Sequence, residues 1–231
     1  MRFITILLGM LISVIAVAQP RYNAALLDTL TFIASTKTPS QHFAGLYYNA
    51  IEITNNYAAT QPDSVRRFIF GFEERFAPAF FTSYKNLNTH TPQIYCWQPY
   101  YTDTTLNDLQ YKFIGMTAHI NGDMWVALKD TYSYDTLKKY KKPLLKFQQA
   151  LNVLFDSMYV TSAKYPKLRR LRFLTLGLDR LIGKKVILYW RKRQVQMALL
   201  YYSNPAKCER KNRRLKNTIR RWHRFAVKWI K

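Results

Sequence analysis

Residues 106–130, LNDLQYKFIGMTAHINGDMWVALKD, have the longest consistent helical periodicity in the chain. At 100° per residue the apolar side chains fall within one arc of roughly 80°, which is typical of a helix face packed on a core. Those side chains are Leu106, Leu109, Phe113, Met116, Ile120, Met124 and Ala127. The pattern predicts a central helix, the most buried one of the protein, and we expect other helices to pack against it.

His119 and Asp123 are four residues apart, so they lie on one face of that helix at the edge of the apolar stripe. Three roles stay open for the pair. The two side chains hydrogen-bond and hold neighbouring helices together, or Asp123 orients the imidazole for acid–base catalysis. In the third role they bind a divalent metal, which requires a further ligand. His42 at the start of another helix is the best candidate, with Glu73, Glu74 and Asp108 ranked behind it. Asp108 lies too far along the helix axis from His119 to share one metal with it.

Three residues around the pair are predicted to support the packing of the central helix. In a regular helix Asn121 points about 160° away from Asp123, so it cannot join the pair unless the helix distorts at Gly122. We expect Asn121 to bond to a backbone group of a neighbouring element. Gly115 and Gly122 are seven residues apart on one side of the helix, where they allow another element to approach closely.

The rest of the chain predicts an all-α fold, because it contains helical periodicities and no convincing strand pattern. We expect one domain of seven to nine helices over residues 19–231. Thr105 and Asp108 resemble a capping box before the central helix. Gly183 is predicted to end a helix, and Pro78 to bend or break one. The other predicted helices cover residues 23–34, 42–57, 65–84, 137–160, 167–182, 184–202 and 209–231, with a loop at 85–103.

The first residues, MRFITILLGMLISVIAVAQP, have the features of a secretory signal, with cleavage predicted after Ala18. The alternative is a retained N-terminal anchor. Residues 1–18 are therefore expected to direct export, and the mature protein to be periplasmic or extracellular, soluble or peripheral to a membrane. Cys96 and Cys208 are then either a disulfide or two buried small hydrophobic side chains.

The charge is concentrated in the C-terminal part. Before Lys138 there are 9 Lys/Arg and 10 Asp/Glu, and from Lys138 onward 27 and 3. This asymmetry favours an anionic partner, and outside the cytoplasm anionic lipid or envelope polysaccharide is expected rather than nucleic acid. A solvated basic surface is the alternative.

The final helix combines an apolar stripe with many cations. It either binds an anionic surface or docks on the bundle with its arginines in water. The residues predicted to contact an anionic surface are Arg213, Arg214, Arg220, Arg221, Arg224, Trp222 and Trp229.

Residues 113–123, FIGMTAHINGD, resemble a bacterial family catalogued as domain of unknown function 5995, whose pattern runs roughly Leu-Leu-Gly-Met-Asn-Ala-His-Ile-Asn-any-Asp-Leu. Residues 72–80, with Glu74, Arg75 and Phe76, and residues 178–181 also fit. Thr117 and Met124 depart from the pattern without removing His119 or Asp123. The resemblance implies an all-α domain with a preserved His-x-Asn-x-Asp core, with Arg75 as structural support, and it implies no known activity.

The sequence contains no nucleophile elbow, phosphate loop, dinucleotide fingerprint or Cys-x-x-Cys pair. These absences argue against the common nucleotide-dependent and redox enzymes. Two hypotheses are carried forward. The protein is a hydrolase that uses His119 and Asp123 on a lipid or envelope substrate, or it is a non-enzymatic binding protein that uses its basic C-terminal face.

The signal prediction is tested by the N-terminal sequence of protein recovered outside the cytoplasm. We expect that sequence to begin at Gln19, because Ala16 and Ala18 supply the small residues that signal peptidase requires. An Ala18→Arg variant should keep residues 1–18, whereas a Thr29→Arg control should be processed normally. Wild-type protein that retains residues 1–18 would establish the anchor instead.

Overall fold

The computed structural model describes residues 23–231, and all the regular structure in that range is helical. The predicted signal at residues 1–18 lies outside the described residues. Among the described residues, no helix is both long enough and apolar enough to span a bilayer. The prediction of an all-α bundle is confirmed.

Eleven α-helical segments follow one another over residues 23–231. They are α1 (Ala24–Ser35), α2 (Ser40–Ala59), α3 (Asp63–Asn88), α4 (Gln98–Thr102), α5 (Asp108–Ala118), α6 (Met124–Thr131), α7 (Tyr134–Ala150), α8 (Asn152–Thr161), α9 (Pro166–Leu174), α10 (Leu178–Ser203) and α11 (Pro205–Trp229). A π-helical segment, His119–Asp123, joins α5 directly to α6, and a 3-10 turn, Ser162–Lys164, precedes α9. With α5, the π segment and α6 taken as one helix and the short α4 set aside, the described range has nine helices.

The helix formed by α5, the π segment and α6 lies at the centre of the bundle. Helices α2 and α11 pack against α5, while α3 and α10 pack against α6. Burial therefore extends beyond the stripe expected from the sequence: Ile114 and Ala118 are buried, whereas Phe113 and Met116 are only partly buried. A helix with neighbours on several sides has no single core face, and this is why the 80° arc was too narrow.

The predicted start of the central helix and the predicted end of α3 are both wrong. The capping box before α5 uses Asn107 and Gln110 rather than Thr105 and Asp108. Helix α3 is not broken at Pro78, and it ends at Asn88 rather than at Tyr84. The loop expected at 85–103 is consequently shorter, and it also contains α4.

Two breaks in the C-terminal half also differ from expectation. The segment 137–160 divides near Leu151, and the segment 167–182 divides at Leu176–Gly177, where both residues have positive φ (50° and 82°). Gly177 supplies the left-handed conformation that ends α9. Gly183 does not end a helix, since it lies inside α10, where an added Cβ would overlap the ring of Phe155.

Helix α11 docks on the bundle through the apolar stripe seen in its sequence. Leu215, Ile219 and Ala226 are buried, and Trp222 packs edge-on against Trp190 at 4.9 Å between ring centroids. Its arginines lie on the outer side. The two cysteines are buried and free, which corresponds to the second of the two alternatives left open for them.

Gly122 is tested by substitution to alanine, with Gly45 as the matched control. A Cβ at Gly122 would overlap the Cβ and Sγ of Cys96, whereas a Cβ at Gly45 would meet nothing within 4 Å. We expect Gly122→Ala to lower the free energy of unfolding by about 1–3 kcal/mol through overpacking. Gly45→Ala should be neutral or raise it by up to about 1 kcal/mol, because alanine favours a helix interior. Urea unfolding measures both, and equal effects would contradict the close approach.

Candidate functional site

His119 and Asp123 form a buried hydrogen-bonded pair in the π segment. Nδ1 of His119 lies 3.0 Å from Oδ2 of Asp123, and all five residues of the segment are buried. The distortion at Gly122 that the sequence allowed for is this π turn. It does not bring Asn121 to the pair, since the Asn121 side-chain oxygen accepts a hydrogen bond from Gln194 of α10 at 3.4 Å. The partner of Asn121 is therefore a side chain and not the backbone group expected.

The Asp123 carboxylate accepts hydrogen bonds from two further groups. The indole Nε1 of Trp97 donates to Oδ2 at 2.9 Å, and the thiol of Cys96 donates to Oδ1 at 3.4 Å. A carboxylate that only accepts requires Nδ1 of His119 to carry its proton. We therefore assign the tautomer in which Nε2 of His119 is the unprotonated nitrogen.

The imidazole of His119 is held between aromatic rings and stays neutral. It stacks on Phe76 with 3.6 Å between ring centroids and meets Tyr47 edge-on at 4.7 Å. Burial lowers the pKa of His119 and outweighs the opposing effect of Asp123. Nε2 is buried and has no hydrogen-bond partner among the described residues. Such an orphan acceptor is available to a ligand or a water molecule.

His119 lines a cavity of about 60 Å³ between α2, α3, α5, the π segment, α7, α8 and α10. By the volume that one water molecule needs, this space holds a few waters or one small chemical group. The polar side chains of the wall are His119, Tyr47, Glu73, Gln148, Asn152 and Arg191. The others are apolar: Phe43, Leu46, Ala50, Phe76, Met116, Ile120, Leu151, Leu154, Phe155, Met158 and Ile187.

Glu73 and Arg191 are two buried ionisable groups on the cavity wall. Burial raises the pKa of Glu73 to about 7, although the hydrogen bond from the Tyr47 hydroxyl (3.1 Å) and the charge of Arg191 both act to lower it. Burial also lowers the pKa of Arg191 to about 10, so it remains a cation at neutral pH. Nη1 of Arg191 donates to the carbonyl of Gln148 at 2.6 Å, and its Nε is unpartnered.

A larger outer pocket of about 490 Å³ lies beside the cavity, and Leu46 and Met158 line both. The outer pocket contains His42, whose Nδ1 is 2.7 Å from Oδ1 of Asp108. Asp108 also accepts from Nζ of Lys112 at 3.0 Å. The outer pocket thus combines polar and apolar side chains, whereas the cavity beside it is mostly apolar.

The structure does not bring His42, His119 and Asp123 together as one metal site. His42 is paired with Asp108, and within residues 23–231 no three His, Cys, Asp or Glu side chains are placed to hold a metal. Such a site would need ligands from outside this set.

The other residues predicted from the sequence, for structural support or for anionic-surface binding, do not line the cavity. A Cβ at Gly115 would come within 2.7 Å of the Phe43 ring, and one at Gly122 would overlap Cys96. Arg75 is exposed on α3. The residues of α11 that were predicted to contact an anionic surface differ in exposure. Trp222 packs against Trp190, whereas Trp229 is 40% exposed. The arginines Arg213, Arg214, Arg220, Arg221 and Arg224 are exposed.

Sequence reasoning missed Tyr47 and Arg191, and it considered Glu73 only as a metal ligand ranked behind His42. Glu73 and Arg191 both carry a local signal. Glu73 is at helical spacing from Ile69 and Phe76, and Arg191 is at helical spacing from Ile187 and Val195, so both occupy core-facing positions. A charged residue on a core-facing position is expensive unless it is paired or functional. Cys96 and Trp97 had no such signal, because they come from an irregular segment.

The comparison with family models found a match over residues 24–228. The chain belongs to the DUF5995 family of unknown function. The match to DUF5995 covers α1 and nearly all of α11, so the central helix and the cavity lie inside the family domain. Neither curated proteins nor solved structures gave a match to the chain.

The raised pKa of Glu73 predicts a pH-dependent stability. Its carboxyl group titrates near 4.5 when unfolded and near 7 when folded. Its contribution to the free energy of unfolding is therefore greatest at low pH and falls as pH rises from 4.5 to 7. As pH rises from 5 to 8, the free energy of unfolding of wild type should fall by about 2–3 kcal/mol relative to that of Glu73→Gln. Urea unfolding at both pH values measures this change.

The matched control is Glu74→Gln, which alters the neighbouring exposed carboxyl group. This variant keeps Glu73, so the fall in stability that Glu73 produces between pH 5 and pH 8 should persist. Parallel stability curves for wild type and Glu73→Gln would show that Glu73 ionises normally in the fold.

Proposed function

We propose that the protein is a hydrolase for an ester-type bond in a lipid or cell-envelope substrate, with His119 as general base. The observation that carries the proposal is the buried, unpartnered Nε2 of His119, which belongs to a side chain lining the cavity. A neutral imidazole whose other nitrogen is fixed by a carboxylate is suited to take a proton from water. His119 is neutral at pH 7 because burial lowers its pKa.

In the proposed reaction, Nε2 of His119 removes a proton from water while the water oxygen attacks the substrate carbonyl carbon. The negative charge that develops on the carbonyl oxygen is stabilised by Arg191, a buried cation with an unpartnered Nε. The intermediate then breaks its bond to the alkoxide, which receives the proton from His119. Asp123 stabilises the transient imidazolium and keeps the ring in the required orientation.

The composition of the two pockets supports an amphipathic substrate. Most of the side chains that line the cavity are apolar, and its volume of about 60 Å³ admits one small apolar group, such as a short acyl end, close to the reacting bond. The outer pocket offers His42, Asp108 and Lys112 to a polar portion. Export, as proposed from the N-terminal sequence, would bring the protein to the cell envelope where such substrates occur.

The test uses p-nitrophenyl esters with acyl chains of two to eight carbons and compares wild type with His119→Asn. Asparagine keeps a side-chain amide that can donate to Asp123 but has no basic nitrogen. We expect kcat/KM to fall at least about 100-fold, which is the lower range for loss of a general base. Wild-type kcat/KM should decline on acidification only below pH 6.5, because the lowered pKa of His119 keeps it unprotonated above that value.

The matched control is His223→Asn. His223 is a partly buried histidine that also has an acidic neighbour, with Nε2 lying 3.4 Å from Oδ2 of Asp103, and it does not line the cavity. Its substitution should leave turnover unchanged. Circular dichroism checks that both variants stay folded. Equal turnover in wild type and folded His119→Asn, or turnover in neither, would remove the hydrolase assignment and leave the pair as a structural link.

A second candidate function rests on the basic outer side of α10 and α11. Five arginines surround one concave surface there, with no acidic side chain in its lining, and they are Arg193, Arg214, Arg220, Arg221 and Arg224. This arrangement suits a polyanion such as envelope polysaccharide. Binding of heparin as a probe should weaken as salt rises and should be lost in Arg220→Gln/Arg221→Gln. Salt-independent retention would exclude it.

A further inference from the structure

Helix α9 and the first turns of α10 expose an unusually apolar surface. Six large hydrophobic side chains within ten residues are exposed: Phe173 (79%), Leu174 (77%), Leu176 (89%), Leu178 (58%), Leu181 (56%) and Ile182 (58%). Scattered exposed leucines need no explanation, but a contiguous group indicates an interaction site. We name these six residues the α9–α10 apolar tip.

Nothing in the described chain covers this tip. Helix α9 contains no buried residue, so it contributes little to the core. The chain reverses between the two helices at Leu176 and Gly177, which have φ values of 50° and 82°. The turn therefore holds Leu176, the most exposed of the six, between the two helix ends.

The surroundings of the tip are strongly basic. Residues 164–192 contain ten Lys/Arg and one acid, Asp179. Asp179 accepts hydrogen bonds from Tyr159 and Thr175, and the nearby Asp156 is paired with Arg180 and Lys184. Arg169 and Arg170 lie with Phe173 and Leu174 around one shallow depression. Apolar side chains and cations thus share one surface, with few anions.

We propose that the α9–α10 apolar tip inserts into the interface of an anionic lipid bilayer. Apolar side chains that enter the acyl boundary while flanking cations contact anionic headgroups are the basis of peripheral membrane binding. A protein partner would have to supply both an apolar recess and many acidic groups, whereas an anionic bilayer supplies both properties at once. The tip needs no catalytic residue, so this inference goes beyond the proposed function and does not depend on it.

The location differs from the one expected from sequence. The tryptophan-rich stripe of α11 indicated a membrane-binding helix, but most of that stripe is used to dock α11 on the bundle. The α9–α10 tip combines exposed apolar surface with positive charge, and insertion requires both. The α11 arginines supply charge with little exposed apolar surface beside them, apart from Trp229.

The first experiment is co-sedimentation of the processed protein, residues 19–231, with phosphatidylcholine vesicles that contain or lack 30 mol% phosphatidylglycerol as probe. Phe173→Ser/Leu174→Ser removes two apolar side chains of the tip, and Phe32→Ser removes a comparably exposed one from α1 (62%). We expect the tip variant to bind anionic vesicles more than tenfold more weakly than wild type, and Phe32→Ser to bind like wild type. The processed form lacks the apolar run at residues 3–17, which would otherwise bind vesicles by itself and hide a loss of binding at the tip.

Charge variants distinguish membrane binding by the tip from membrane binding by the basic face of α11. Arg169→Gln/Arg170→Gln should weaken binding to anionic vesicles and reduce its salt dependence, because these arginines flank the inserted side chains. Arg220→Gln/Arg221→Gln should have the smaller effect. The opposite order would assign membrane binding to α11 and overturn the proposal.

Insertion itself is measured with a polarity-sensitive fluorophore on Leu174→Cys, with Asn56→Cys on α2 as control. Cys96 and Cys208 are buried, so labelling is directed to the introduced thiol. Anionic vesicles should shift the emission of the label at 174 to shorter wavelength, and brominated lipid should quench it, with neither effect at 56. Unchanged emission at 174 would overturn the proposal. So would a wild-type dimer that Phe173→Ser/Leu174→Ser converts to a monomer without any loss of vesicle binding, since the tip would then bind a second copy of the chain.

Discussion

The buried carboxylate of Asp123 is the constraint around which the centre of this protein is arranged. A charge away from water costs several kcal/mol unless it is hydrogen-bonded, and Asp123 accepts from His119, Trp97 and Cys96. These donors connect the central helix to the irregular segment before α4. They also explain the close approach at Gly122, because Cys96 can reach the carboxylate only where the helix has no side chain.

One consequence of that arrangement is the state of His119. Its proton is fixed on the nitrogen facing Asp123, so the other nitrogen is left as an acceptor beside the cavity. Glu73, Tyr47 and Arg191 line the same space, and Nε of Arg191 and Oδ1 of Asn152 on the same wall also lack a hydrogen-bond partner among the described residues. A core built only for stability would fill this volume with hydrocarbon and leave no orphan donors or acceptors. The retained polar groups are therefore the strongest structural argument for a ligand or reactant here.

The basic half of the chain is used in two different ways. In α11 the apolar stripe is buried against the bundle and the arginines remain outside. In α9 and the start of α10 the apolar side chains remain outside together with the cations. Similar compositions thus lead to a docked helix in one place and an uncovered surface in the other. The difference depends on whether a neighbouring helix is close enough to cover the stripe.

The sequence by itself determined the features that depend on local spacing. Helical periodicity gave the all-α class and the central helix, and a separation of four residues was sufficient to pair His119 with Asp123. Only the tertiary structure decided which distant groups meet that pair, because Glu73, Trp97 and Arg191 come from three other segments. It also decided which glycine ends a helix: Gly177 adopts positive φ, whereas Gly183 has Phe155 packed against it. Both glycines look alike in sequence, and what distinguishes them is the element that packs beside each one.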